Sequence, residues 1–133
     1  MKTYRGSCLC GSVRYEVKGR LPRIVHCHCQ MCRKAHGAAF GSYSEMRAED
    51  FRIVSGEDDI EAYESSAGVR RTFCRKCGST LQFLTAKRPG MVDLAVGTLD
   101  DDPDLKPARH IFVGSKAPWF DITDGLPQHA ERS

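Results

Sequence analysis

Residues 26–37 read HCHCQMCRKAHG, three cysteines and three histidines within twelve positions. Two more cysteine pairs stand far off in the chain, Cys8 and Cys10 in CLCG and Cys74 and Cys77 in CRKCG. Seven cysteines cannot all pair as disulfides, and clustered thiols in a reducing compartment more often bind a metal ion. Thiolates are soft ligands of the kind Zn²⁺ takes.

The outer pairs are tight turns that each present two sulfurs, and the glycine after the last cysteine lets backbone N–H groups turn toward them. Two pairs from distant segments make a closed, four-sulfur structural zinc site of Cys8, Cys10, Cys74 and Cys77, whose binding free energy becomes folding free energy. Such a clamp ties a strand near residue 13 to one near residue 80. A redox pair at Cys74 and Cys77 is the competing reading, but that motif wants a helix next, and Gly78-Ser79-Thr80 leads into a strand pattern. Buried thiols without metal would explain neither the spacings nor the glycines.

By exclusion, Cys27, Cys29 and Cys32 are left for a second zinc ion. Three protein ligands plus one free position is the arrangement of a working zinc. The alternative is a closed cage completed by His36, one helical turn beyond Cys32. His28 falls between two ligating positions and is expected to point away, and His26 precedes them on a strand. Spacing alone leaves the open and closed forms both standing. An open zinc on three thiolates is a weak Lewis acid, better at capturing another thiolate than at activating water. A thiol bound there would ionise at neutral pH, and carbon–sulfur chemistry at an electrophilic carbonyl would follow.

The elements that must position these sulfurs read mostly as strand. Val13, Tyr15 and Val17 alternate with Ser12, Arg14, Glu16 and Lys18, the period of a strand buried on one side. Short candidates follow at 23–26, 38–43, 51–55, 60–64, 69–73, 80–84, 91–99 and 110–113, separated by turn residues such as Ser55-Gly56 and Arg88-Pro89-Gly90. Only Gln30–His36 looks helical, with Gly37 to stop it. These patterns predict a mainly β, largely antiparallel fold with one short helix, as a single domain over residues 1–133 whose polar tail from Gly125 frays.

The chain has 133 residues, 41% hydrophobic and 28% charged, ordinary for a globular domain. No apolar run is long enough to span a membrane. The polar first residues lack a secretory leader, so a cytoplasmic location is expected. The formal charge of +3 suggests nucleic acid, but two zinc ions on seven thiolates would cancel it, and the basic residues are scattered rather than aligned. No nucleic-acid partner is expected.

Four segments, GSCLCGSVRYEV, HCHCQMCRKAHG, FCRKCGSTL and HIFVGSKAPWFDI, together resemble the glutathione-dependent formaldehyde-activating enzyme family, whose fold is similar to the Mss4-like β-tent. The resemblance runs from about Gly6 to Asp121. It implies two zinc ions per chain, a structural one on Cys8, Cys10, Cys74 and Cys77 and a catalytic one on Cys27, Cys29 and Cys32. It also implies a carbon–sulfur lyase that joins glutathione, or a similar small thiol, to formaldehyde. In the last segment His110, Lys116 and Trp119 are candidate substrate-binding residues, Lys116 meeting a carboxylate and Trp119 walling the site. The competing reading makes Trp119 a core anchor with Phe112 and Phe120 and leaves Lys116 in solvent. The competing function is a non-catalytic β-tent that holds a protein partner with both zincs structural. A zinc reservoir or redox sensor is a third. The oligomeric state is not legible in the sequence.

Overall fold

A computed structural model describes residues 2–132; Met1 and Ser133, the ends of the expected domain, lie outside the described residues. Ten strands and one α-helix follow in the order β1 (Thr3–Ser7), β2 (Arg14–Lys18), β3 (Ile24–Cys27), α1 (Gln30–His36), β4 (Gly41–Arg47), β5 (Phe51–Ser55), β6 (Ile60–Ser66), β7 (Val69–Cys74), β8 (Thr80–Thr85), β9 (Met91–Ala95) and β10 (Pro107–Ile111). They form a three-stranded sheet, β1-β2-β5, and a seven-stranded sheet, β10-β3-β4-β9-β8-β7-β6. Every pairing is antiparallel except β10 with β3, which is parallel.

Alternation decides what lies between the sheets. On β2, Tyr15 and Val17 are buried while Arg14 and Lys18 face solvent. They join Tyr4 of β1 and meet Met46, Val92 and Leu94 from β4 and β9 of the larger sheet. Each fully buried aliphatic side chain contributes about 1.5–3 kcal/mol, so this shared layer is the main tie between the sheets. A smaller cluster of Cys8, Val13, Cys74 and Leu81 closes one end, and Cys27, Cys32, Tyr43 and Ala95 form a third.

Three differences from the sequence reading matter. A strand forms at Thr3–Ser7 where none was expected. The expected run 91–99 stops at Ala95 and turns through a 3₁₀ segment at Val96–Thr98. The tail does not fray among its described residues. The amides of His110, Phe112 and Val113 donate to the carbonyls of Pro127, Glu131 and His129, and the His129 amide donates back to His110. The tail therefore covers the outer edge of β10, which would otherwise present unpaired backbone groups.

Candidate metal centres

The outer cysteine pairs meet. Cys8 and Cys10 sit in the β1–β2 turn, Cys74 ends β7 and Cys77 lies in the β7–β8 turn, and their four sulfurs lie within 4.8 Å of one another. Cys8 and Cys10 sulfurs are 3.6 Å apart and those of Cys10 and Cys74 are 3.9 Å apart. A tetrahedral ion with metal–sulfur bonds of about 2.3 Å needs sulfurs about 3.8 Å apart, so the set fits zinc. Gly11 and Gly78 both adopt positive φ, at 82° and 80°, which closes each turn without a Cβ clash. The Val13 amide donates to Cys8 Sγ at 3.3 Å, and the Leu9 amide crosses to Ser79 Oγ at 2.8 Å. Burial pushes the Cys74 thiol up to about 11, while hydrogen bonding to Ser79 pulls Cys77 down to about 5. A site holding one reluctant and one ready thiolate asks for a cation to ionise the rest.

The middle triplet also converges. The sulfurs of Cys27, Cys29 and Cys32 lie within 4.8 Å of one another, and among the described residues no fourth cysteine, histidine or carboxylate joins them. Cys27 ends β3, Cys29 is the N-cap of α1, and Cys32 lies in its first turn, where its amide donates to Cys29 Sγ at 3.3 Å. Cys29 is held well below the ordinary thiol range by its hydrogen bonds with Cys27 and then Cys32, and Cys27 is driven up in exchange. Three sulfurs this close cannot all ionise unaided. The donor set fits a soft divalent ion such as zinc with room for one more ligand.

His36, the candidate fourth ligand, is engaged elsewhere. Its Nε2 lies 2.7 Å from the Tyr43 hydroxyl. Arg71 of β7 occupies the triplet's other flank. It is buried, with both terminal nitrogens 3.8 Å from Cys32 Sγ, Nη1 donating to Tyr43 Oη at 3.3 Å, and its guanidinium 4.9 Å over the Phe83 ring. A desolvated cation with only sulfur, hydroxyl and ring neighbours favours negative charge on the cluster.

The triplet opens on a cavity of about 340 Å³ whose wall includes Tyr43, Phe83, Ile111 and Phe112. Phe112 has φ of 55°, uncommon for a bulky residue, and its amide donates a hydrogen bond to the Glu131 carbonyl of the tail, which holds it there. Along β3 and the residues that flank it the cavity takes Arg23, Val25, Cys27 and Cys29, every second residue. His26 and His28 fall on the opposite face for the same reason.

That opposite face holds a buried histidine group. His28 Nε2 lies 2.7 Å from His110 Nδ1, His110 Nε2 lies 2.8 Å from Asp124 Oδ2, and His26 Nδ1 meets Ser42 Oγ at 2.9 Å. Rings of Phe40 and Phe120 pack around them. Burial, then the neighbouring His110, lowers both His26 and His28 to about 4, so both are neutral imidazoles near neutral pH.

The residues singled out in the last motif are not brought to the cavity. His110 belongs to the histidine face. Lys116 Nζ donates to the carbonyls of Ala117 and Phe120, neither a free solvent cation nor a group in the triplet cavity. Trp119 is 68% exposed, which also removes it from the core, and it borders a separate surface hollow with Arg33 and Lys34. Sequence reasoning missed Arg23, Arg71 and Arg109 on the cavity wall; for Arg23 the period-two spacing to Cys27 was the available signal.

The chain is similar to known proteins over most of its length. The chain is 28% identical over 124 residues to a Halomonas elongata protein provisionally named glutathione-dependent formaldehyde-activating enzyme, covering 88% of this chain and 79% of that one. It is 32% identical over 83 residues to a Schizosaccharomyces pombe protein described as an uncharacterized lyase, which is 62% of this chain and only 58% of the yeast protein. The crystal structure of a Rhodobacter sphaeroides protein superposes with a TM-score of 0.63 at 26% identity, covering 74% of this chain and 89% of that one. The sequence profile described as glutathione-dependent formaldehyde-activating enzyme matches residues 3–115, and the chain belongs to that family.

Proposed function

We propose that the protein is a zinc-dependent carbon–sulfur lyase-type enzyme that joins glutathione, or a closely similar thiol, to a small aldehyde, formaldehyde first, and runs the reverse reaction. The observation that carries this reading is a triplet of cysteines without a fourth protein ligand in the wall of a cavity. Cys27, Cys29 and Cys32 hold the catalytic zinc, and Cys8, Cys10, Cys74 and Cys77 the structural one. When bound at the triplet, the ion supplies positive charge that favours the ionised form of an incoming thiol.

The chain's own residues do the rest. Arg71 faces the sulfur cluster and offsets its negative charge. Phe83, Ile111 and Phe112 shed water from the reacting atoms, which strengthens every charge interaction nearby. The Tyr43 hydroxyl, held by His36 and Arg71, gives a hydrogen bond to the aldehyde oxygen as the carbon–sulfur bond forms. The thiol proton leaves to solvent and an equivalent proton returns to that oxygen, so the adduct is a neutral hemithioacetal. The described cysteines form no disulfide, which suits a reducing, cytoplasmic setting.

The test is adduct formation from glutathione and formaldehyde, followed by NMR with the zinc-loaded protein and with a Cys29→Ser variant. The expected result is a rate above the uncatalysed one that the variant loses. A rate equal to the background for the wild-type protein would overturn the assignment of this substrate pair.

A further inference from the structure

The cavity beside the triplet carries far more positive charge than a zinc–thiolate centre needs. Five arginines, Arg23, Arg71, Arg88, Arg109 and Arg132, are among its lining residues, against two acidic ones, Glu45 and Asp93. Arg88 takes both carboxylates; burial raises Asp93, and Arg88 and then Arg132 oppose that shift. Neither Arg23 nor Arg109 is in an ion pair with a described residue, and Arg109 Nε is buried without a hydrogen-bond partner among the described residues. Five guanidiniums and two carboxylates leave three positive charges; a divalent ion on three thiolates cancels one. Two positive charges in a concave wall focus potential on whatever enters, and an unpartnered buried N–H is a standing cost that an anion would remove.

Their placement is a ruler. Arg109 of β10 sits in register with Val25, two residues before Cys27 on β3, and Arg23 stands four residues before Cys27 on the same face. At about 3.3 Å per residue these positions lie roughly 7 and 13 Å along the strand from the sulfur centre.

Resting on the reading of the triplet given above, we propose that Arg23 and Arg109 are specificity-determining residues. They form an anion clamp that selects an extended thiol whose two carboxylates stand several bonds from its sulfur. Neutral thiols and short carboxylated thiols reach the zinc without reaching the clamp.

Calorimetric titration of the zinc-loaded full chain tests this without relying on turnover. The probes are glutathione, its dicarboxylic diethyl ester, S-methylglutathione, mercaptoacetate and 2-mercaptoethanol. Glutathione is expected to bind at least tenfold more tightly than its diester or mercaptoacetate. S-Methylglutathione, which keeps both carboxylates but has no thiol, is expected to bind weakly and to be displaced by salt. Arg109→Gln and the exposed Arg23→Gln should each weaken glutathione about tenfold, leave 2-mercaptoethanol unchanged and keep both zinc ions, with Arg109→Lys restoring part of the loss. Equal affinity for glutathione and its diester, no binding of S-methylglutathione, or equal losses for glutathione and 2-mercaptoethanol in the variants would overturn the clamp. Charge-dependent binding without acceleration of aldehyde addition would uphold the clamp and sink the enzymatic reading. Acceleration that ignores the thiol's carboxylates would do the opposite.

Discussion

Both terminal nitrogens of Arg71 reach toward Cys32 Sγ from 3.8 Å, and the rest of the side chain is taken up by Ser65, Tyr43 and the face of Phe83. A divalent ion on three thiolates carries one net negative charge, which repels an approaching thiolate; a buried guanidinium cancels that charge at close range. Arg71→Met is therefore expected to weaken glutathione binding by the zinc-loaded chain about 10- to 100-fold, the worth of a charge-assisted hydrogen bond in a buried setting. Arg71→Lys should recover part of it, because its point charge cannot span Cys32 and Tyr43 together. Calorimetry with zinc content measured in parallel checks this, and unchanged affinity in Arg71→Met would contradict it. At this scale the seven cysteines were legible because metal-ligand spacing is local in sequence. The arginines were not, because which of twenty basic residues reaches one cavity depends on the register of β3, β7 and β10.

Strand alternation is what sorts the HCHC segment into two chemistries, cysteines toward the cavity and histidines toward Ser42, His110 and the tail. That much follows from a period of two and was legible: His28 was expected to point away from the metal and does. Helix α1 also fell where its pattern and Gly37 put it. The strand at Thr3–Ser7 was not legible, since Thr3 and Tyr4 favour strands but a single apolar residue shows no alternation and Gly6 weakens a strand interior. The structure explains the glycine: a Cβ at Gly6 would sit 2.1 Å from the ring of Tyr15, a fully buried side chain with nowhere to go. Gly6→Ala is expected to cost about 1–3 kcal/mol by overpacking, measured by denaturant unfolding of the zinc-loaded protein. An effect below about 0.5 kcal/mol would mean that β1 does not pack on Tyr15 this closely. The parallel pairing of β10 and the tail's attachment to it were equally hidden, because backbone hydrogen bonds use every residue's amide and carbonyl and leave no trace in composition.

Across the whole molecule the outer cysteines join the two sheets at one end, the β1–β2 turn of the small sheet to the end of β7 and the turn after it in the large one, while the triplet spans the end of β3 and the start of α1, with no residue on the small sheet. The β-rich class and the meeting of two cysteine pairs from distant parts of the chain could be read from alternation and paired cysteine turns. The split into sheets of three and seven strands could not, because it rests on pairings between distant segments. Loss of a clamp ligand therefore separates two sheets, and loss of a triplet ligand loosens one edge. Cys74→Ser should lower stability by more than about 4 kcal/mol and Cys29→Ser by less than half of that, read as unfolding midpoints at equal zinc concentration; equal losses would contradict the division of labour. The most direct test of that division is a zinc-edge anomalous map of crystals grown with zinc and glutathione. Two ions per chain are expected, one on the sulfurs of Cys8, Cys10, Cys74 and Cys77, the other on Cys27, Cys29, Cys32 and the sulfur of glutathione. A separate ion on each outer pair, or the His36 imidazole as the fourth ligand of the triplet, would contradict it.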